Sequence, residues 1–209
     1  MARIKISIDK LPAQKLFYLV DSCFLINKYI PPDKMNDPYE KILLEKSQEW
    51  WAIIDRQLSH GKAIVYILNV SIAEAFKSLF KQYIKKRINY ATYDKARRAL
   101  QIDLTLKPKD ARKQKRHIKF HDIEINRDLI IGIDRFFESF LKNYPGVSTF
   151  DLLILSAARY LVDFYGFSQE RIIPVTLDND LWKGSKKISD VPYVFNPAHK
   201  SNYADKVFK

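Results

Sequence analysis

Short apolar runs alternate with longer amphipathic stretches along this chain. Leu16–Val20 is a continuous apolar run that ends in Asp21-Ser22, so a buried strand leading into a helix start is predicted. After the Pro31-Pro32 break, apolar positions recur at helical spacing over 38–58, closed by His60-Gly61. Ala63–Leu68 reads as a second buried strand, and Ser71 as the start of a long helix reaching Asn89. A further helix is predicted over 92–102, then Pro108 breaks the pattern. Residues 117–126 alternate apolar and polar positions, as a strand or an extended loop does. Helices follow over 129–141, ended by Asn143-Tyr144-Pro145-Gly146, and over 150–165, opened by Ser148-Thr149. Residues 171–176 form a third apolar strand with Pro174 inside it, and 193–195 a short edge strand.

Strands alternating with helices predict an α/β fold, a parallel sheet flanked by helices. Apolar residues make up 47% of the 209, enough for one sizeable core, and 5 glycines and 9 prolines are too few for a linker-like or low-complexity chain. No internal repeat is visible. The single cysteine, Cys23, excludes an internal disulfide and a C-x-x-C metal cluster, and a reducing, cytoplasmic setting is expected. The N-terminal residues lack the apolar stretch of a signal peptide, and no uninterrupted apolar run approaches a membrane span.

Charge changes the picture more than composition does. The formal charge is +12, and it is concentrated: Lys81 to Lys119 holds 14 lysines and arginines against three acids. The rest of the chain is almost neutral. A nearly neutral body with one basic arm suits a polyanionic partner, nucleic acid or an anionic surface. The expected organisation is one α/β domain in two parts, 1–80 and 148–209, separated by a basic, mainly helical insertion over 81–147.

Four acids share one kind of position. Asp21 directly follows the first strand, and Asp178, with Asp180 near it, follows the strand over 171–176. Glu74 and Asp151 lie in the first turns of predicted helices. In a parallel sheet the carboxyl ends of the strands share one edge, where ligands bind. Each acid also has a local explanation: Ser71-Ile-Ala-Glu74 and Ser148-Thr-Phe-Asp151 match the capping box, and Asp21 and Asp178 suit N-caps or turns. Local explanations do not account for the recurrence. Clustered carboxylates repel unless a cation sits among them, and an all-oxygen donor set favours Mg2+ or Mn2+. With a polyanionic substrate, that chemistry is phosphodiester hydrolysis.

These residues resemble the motifs of PIN-domain nucleases. Tyr18-Leu-Val-Asp21-Ser22 looks like the opening strand and acid, and Val70-Ser-Ile-Ala-Glu74 like the second motif. Phe150-Asp151-Leu-Leu-Ile-Leu-Ser-Ala-Ala158 is similar to the third, and Pro174-Val-Thr176-Leu-Asp178-Asn-Asp180-Leu-Trp182 to the closing T-x-D-x-D-F motif, with Leu-Trp where an aromatic follows the last Asp. The resemblance implies a Mg2+- or Mn2+-dependent endoribonuclease, with Asp21, Glu74, Asp151 and Asp178 as the catalytic, metal-holding acids and Asp180 as an auxiliary one. Ser22 and Thr176 match hydroxyl positions that orient a carboxylate or water. VapC-like toxins of this family imply an antitoxin partner, and homodimers are common in it. The length of this chain, far beyond the compact toxins, bears on the toxin role more than on the nuclease role.

In the basic arm, Lys85, Lys86, Arg87, Arg97, Arg98, Arg112, Lys113, Lys115 and Arg116 are candidate phosphate contacts. Tyr83, Tyr90, Tyr93 and Phe120 among them suit either base stacking or the buried face of a helical hairpin. His117 and His121 have a metal-like spacing in a strand-like context without a third ligand. Cys23 is expected to be a buried, inert thiol, and Trp50, Trp51 and Trp182 to be packing residues. Two further readings stay open: an RNA-binding module of the same fold without turnover, and a structure-selective DNA nuclease.

Overall fold

A computed structural model describes residues 15–106, 108–113 and 119–199. In chain order the elements are β1 (Leu16–Val20), α1 (Ser22–Asn27), α2 (Pro38–Ser59), β2 (Ala63–Leu68), α3 (Asn69–Ile84), α4 (Tyr90–Thr105), α5 (Pro108–Lys113), β3 (Phe120–Ile123), α6 (Arg127–Ile131), α7 (Asp134–Leu141), α8 (Thr149–Tyr165), β4 (Ile172–Val175) and α9 (Asn179–Ser185). The four strands form one parallel sheet in the order β3-β2-β1-β4. The predicted parallel sheet flanked by helices is thus present.

Alternation along the strands splits the core into two layers. Tyr18, Val20, Val65, Ile67, Ile173 and Val175 face α1–α4, where Phe24, Trp51, Ala75, Leu79 and Leu100 are buried. Phe17, Leu19, Tyr66, Leu68 and Ile172 face the other layer, filled by Leu129, Phe136, Phe140 and the apolar side of α8. Burial on both faces explains why these strands read as unbroken apolar runs. Pro174 is tolerated because β4 lies at the edge, where, among the described residues, only the single bridge from Val175 to Phe195 continues the sheet.

Some boundaries differ from expectation. Helix α3 follows β2 without a loop, starting at Asn69 rather than Ser71, and stops at Ile84 rather than Asn89. Lys86 takes the left-handed conformation (φ 55°), and the Asn89 side chain accepts from Thr92 N at 2.9 Å to start α4. Arg87 pins this turn by pairing with Asp37 and Glu40 of the α2 start. The helix expected over 129–141 is two helices, α6 and α7, parted at Gly132. A Cβ there would lie 2.5 Å from the Ser156 hydroxyl, which donates to Leu129 O at 2.7 Å. The close approach of α8 needs both the glycine and the break.

The segment 81–147 is tied into the body. It supplies β3, which pairs with β2, and it supplies Leu100, Phe120, Phe136 and Phe140 to the two core layers. Phe120 packs edge-on to Trp51. Among the described residues no helix is long and apolar enough to cross a membrane.

Candidate acid site

The strand order reverses at β1: the chain runs from β1 through β2 to β3 on one side and returns to β4 on the other. Such a reversal opens a crevice at the carboxyl edge. Asp21 follows β1 at this point, and Asp178 follows β4.

Asp21 is the most enclosed of the candidate acids, 6% exposed. Its Oδ1 accepts from Phe24 N at 2.6 Å as the N-cap of α1. Its Oδ2 accepts from the Thr176 hydroxyl at 2.6 Å and from Leu177 N at 3.1 Å. Burial pushes its carboxyl up to about 6, against those three donors, and the charge of Asp151 adds to the rise. The buried Thr176 oxygen also accepts from Asp178 N at 2.9 Å, so one hydroxyl ties the two acids together.

Asp178 caps α9, its Oδ1 accepting from Leu181 N at 2.6 Å. Burial raises its carboxyl as well, with Asp151 and Asp180 adding to the rise. Asp151 opens α8 in a true capping box: its Oδ2 accepts from Ser148 N at 2.9 Å and from the Ser148 hydroxyl at 2.6 Å. The charge of Asp151 adds to the rise at both Asp21 and Asp178, so it lies near enough to act on both.

Glu74 differs. Ser71 is buried inside α3 and caps nothing, so the expected Ser71–Glu74 capping box is absent. Glu74 Oε2 instead accepts from the buried Ser22 hydroxyl at 3.4 Å. Cys23, expected in the core, is an exposed residue at this site.

Among the described residues, none of Asp21, Glu74, Asp151, Asp178 and Asp180 has a lysine or arginine within ion-pair distance. Among the described residues, Glu74 and Asp151 each engage one carboxylate oxygen and leave the other without a protein hydrogen bond. The donor set is all oxygen and fits a hard divalent cation. As the side chains stand, no three acid, histidine or cysteine groups among the described residues are close enough to hold one. Asp151 is turned back onto Ser148.

Other candidates fall elsewhere. Arg87 is engaged by Asp37 and Glu40, and Arg97 and Arg98 both by Asp94. Lys85, Lys86 and Lys113 are exposed. The side chain of Arg112, and Lys115, Arg116 and His117 altogether, lie outside the described residues. His121 sits on β3 against Tyr66. Trp51 stacks on Phe24 in the core, and Trp182 meets His199, stacked at 4.1 Å, and the Lys186 ammonium. The sequence reading missed the polar group behind Asp178: His199 Nε2 and Asn196 Nδ2 both meet Asn179 Oδ1, at 2.7 and 3.2 Å. Only the adjacency of Asn179 to two acids hinted at it.

No family model matches the chain, and no curated protein does either. Among solved structures, the chain is similar to PAE2754 from Pyrobaculum aerophilum, at 16% identity over 89% of this chain and 93% of that one, with a TM-score of 0.43. It is also similar to VapBC2 from Rickettsia felis, solved bound to a DNA fragment from its promoter, at 12% identity over 87% and 98% of the chains, with a TM-score of 0.45. Both likenesses are distant.

Proposed function

We propose that this chain is a divalent-metal-dependent endoribonuclease of the PIN type, hydrolysing RNA phosphodiesters at the acid cleft. One observation supports the reading above others. In a chain of charge +12, the acids at the strand-order reversal have no cationic partner among the described residues, and the buried Asp21 is held near 6. Carboxylates kept together without a counter-charge suit a bound cation.

Asp21, Asp151 and Asp178 would hold Mg2+ or Mn2+, with Glu74 and Asp180 beside them. Such an ion supplies Lewis-acid stabilisation of the phosphate and lowers the pKa of water. The chain's own part is orientation. The Thr176 hydroxyl fixes Asp21 and Asp178 relative to each other, and Ser22 holds Glu74 by one oxygen. We assign Glu74 Oε1 as acceptor of the proton of the attacking water. The water oxygen bonds to phosphorus, the bond to the 3′ oxygen breaks, and that oxygen takes a proton from solvent water, so the products are a 5′ phosphate and a 3′ hydroxyl while Glu74 returns its proton to solvent.

The capping bonds favour a second reading, an RNA-binding module without turnover. Asp21, Asp151 and Asp178 all cap helices, so each has a structural reason to be present. The test is cleavage of single-stranded and structured RNA, with matched DNA, in Mn2+, Mg2+ or EDTA, beside Asp151→Asn. Metal-dependent RNA cleavage lost in the variant supports the nuclease. RNA binding without cleavage supports the module, and cleavage of DNA alone overturns the RNA assignment. A toxin role with an occluding antitoxin rests on the motif resemblance, and a neighbouring gene for a small DNA-binding protein tests it.

A further inference from the structure

The helix that supplies Glu74 carries a row of cations on the same side. An α-helix turns about 100° per residue, so residues three, seven and eleven positions on return close to the starting direction. From Glu74 those positions are Lys77, Lys81 and Lys85. All three fall within a wedge of about 80° that includes Glu74. Ser71, Ala75 and Leu79 are buried on the inward side of α3, so this wedge is directed to solvent. Lys77, Lys81 and Lys85 are exposed, and none makes an ion pair among the described residues. The contrast with Arg87, Arg97 and Arg98 is direct, because acids already engage those three.

An apolar border lies along the row. Phe80 and Ile84 are on α3 next to it and are 46% and 60% exposed. Across the hairpin, Tyr90 is 61% exposed and belongs to one ring cluster with Phe80, Tyr83 and Tyr93. Tyr83 and Tyr93 stack at 5.6 Å and hold the exposed rings in place. Cations in a line beside exposed rings match the two parts of an unpaired strand, phosphates and base faces.

We infer that this face of α3 is a binding track for a single strand of RNA: Lys77, Lys81 and Lys85 follow the phosphates, Phe80 and Tyr90 stack bases, and the strand is led toward Glu74. The inference rests on the nuclease reading for the choice of RNA, while the track is a binding surface that stands or falls by binding alone. Its length, Glu74 to Lys85, is about 16 Å of helix rise. Three phosphate contacts change the dependence of binding on salt by a definite amount, because each contributes about 0.7 to the slope of log K against log salt for single strands.

The experiment measures binding of a labelled single-stranded RNA oligonucleotide by fluorescence anisotropy, in EDTA so that nothing is cleaved, over a salt series. The triple variant Lys77→Ala, Lys81→Ala, Lys85→Ala is compared with Lys41→Ala, Lys62→Ala, Lys142→Ala, which removes the same charge from exposed lysines elsewhere. Alanine preserves helix propensity, and circular dichroism and a thermal melt check the fold of both. The track variant is expected to bind at least tenfold more weakly, with a salt slope shallower by about 2. The control triple is expected to stay within threefold of wild type, and Phe80→Ala to weaken single-stranded RNA more than duplex RNA. Equal losses in the two triples, an unchanged slope in the track variant, or no binding by wild type overturns the track. Track-dependent binding by a protein that fails to cleave in Mn2+ overturns the nuclease reading and leaves the track standing.

Discussion

Asp21 makes the stability of the metal-free protein depend on pH in a calculable direction. Its carboxyl is raised from 3.8 to about 6, with burial as the main cause. Between those values the folded protein binds more protons than the unfolded chain. Stability is therefore greatest below the ordinary value and is lost as pH rises through about 6, above which no further loss comes from this group. A rise of this size corresponds to ~3 kcal/mol, with little solvent screening because the residue is only 6% exposed. For a chain of this length that is roughly 6–12 °C in Tm. Other groups titrate over the same window, so the comparison is with Asp21→Asn. The amide nitrogen in that variant opposes the Leu177 N–H donor, at a cost of about 1–3 kcal/mol that does not change with pH. Urea titrations in EDTA at several pH values give the difference between the two proteins. Wild type should lose ~3 kcal/mol relative to the variant as pH climbs from below 3.8 to above 6. Mn2+ added at neutral pH should restore stability to wild type and much less to the variant, since binding only to the folded state stabilises it. A difference that stays flat with pH would refute a buried carboxylate burdened by its own charge.

Three other perturbations follow from the same geometry. Asp151→Asn should reduce metal-dependent cleavage by on the order of a hundredfold or more, in line with loss of a preorganised electrostatic group, while its weakened capping box costs only about 1 kcal/mol in a thermal melt. Thr176→Val deprives Asp21 Oδ2 of a donor and Asp178 N of an acceptor; about 1–3 kcal/mol of stability should be lost, and the pH at which Asp21 titrates should rise further. Gly132→Ala sets a methyl 2.5 Å from the Ser156 hydroxyl, and the displacement of α6 from α8 should cost about 1–3 kcal/mol in urea titration. Restoration of stability by a second change, Ser156→Ala, would identify that contact as the cause.

The sheet was legible because its strands are buried on both faces. Leu16–Val20 and Ala63–Leu68 are bounded as the apolar runs predict, and α8 begins where Ser148 and Asp151 signal a cap. What misled were signals with two meanings. Ser71-Ile-Ala-Glu74 has capping-box spacing, yet β2 runs directly into α3 and buries Ser71 two residues inside it. That misreading matters to the site, since a Glu74 released from capping is the one that reaches Ser22. The end of α3 carries no glycine or proline, and the turn is imposed from outside by the pairing of Arg87 with Asp37 and Glu40. Gly132 looks harmless inside an apolar period, and only the proximity of Ser156 shows why the helix parts there.

The cations show the same distinction between amount and arrangement. A count of charge from Lys81 to Lys119 finds a basic arm, but it treats Arg87, Arg97 and Arg98 as equivalent to Lys81 and Lys85. Their neighbours make them unlike: the arginines are consumed by acids that stabilise the hairpin and its junction with α2, whereas the lysines on the outer face of α3 are left to solvent. The count also excludes Lys77, which lies one turn from Glu74 and outside the dense segment. Helical phase measured from the acid, rather than density measured along the chain, selects Lys77, Lys81 and Lys85 together. If that phase is functional, moving Lys81 by one position, as Lys81→Ala with Gln82→Lys, should fail to restore RNA binding although net charge is preserved. Gln82 is half-buried on the inward side of the wedge. Recovery of full affinity by the shifted lysine would mean that the protein needs only positive charge near α3, and that the alignment with Glu74 has no consequence.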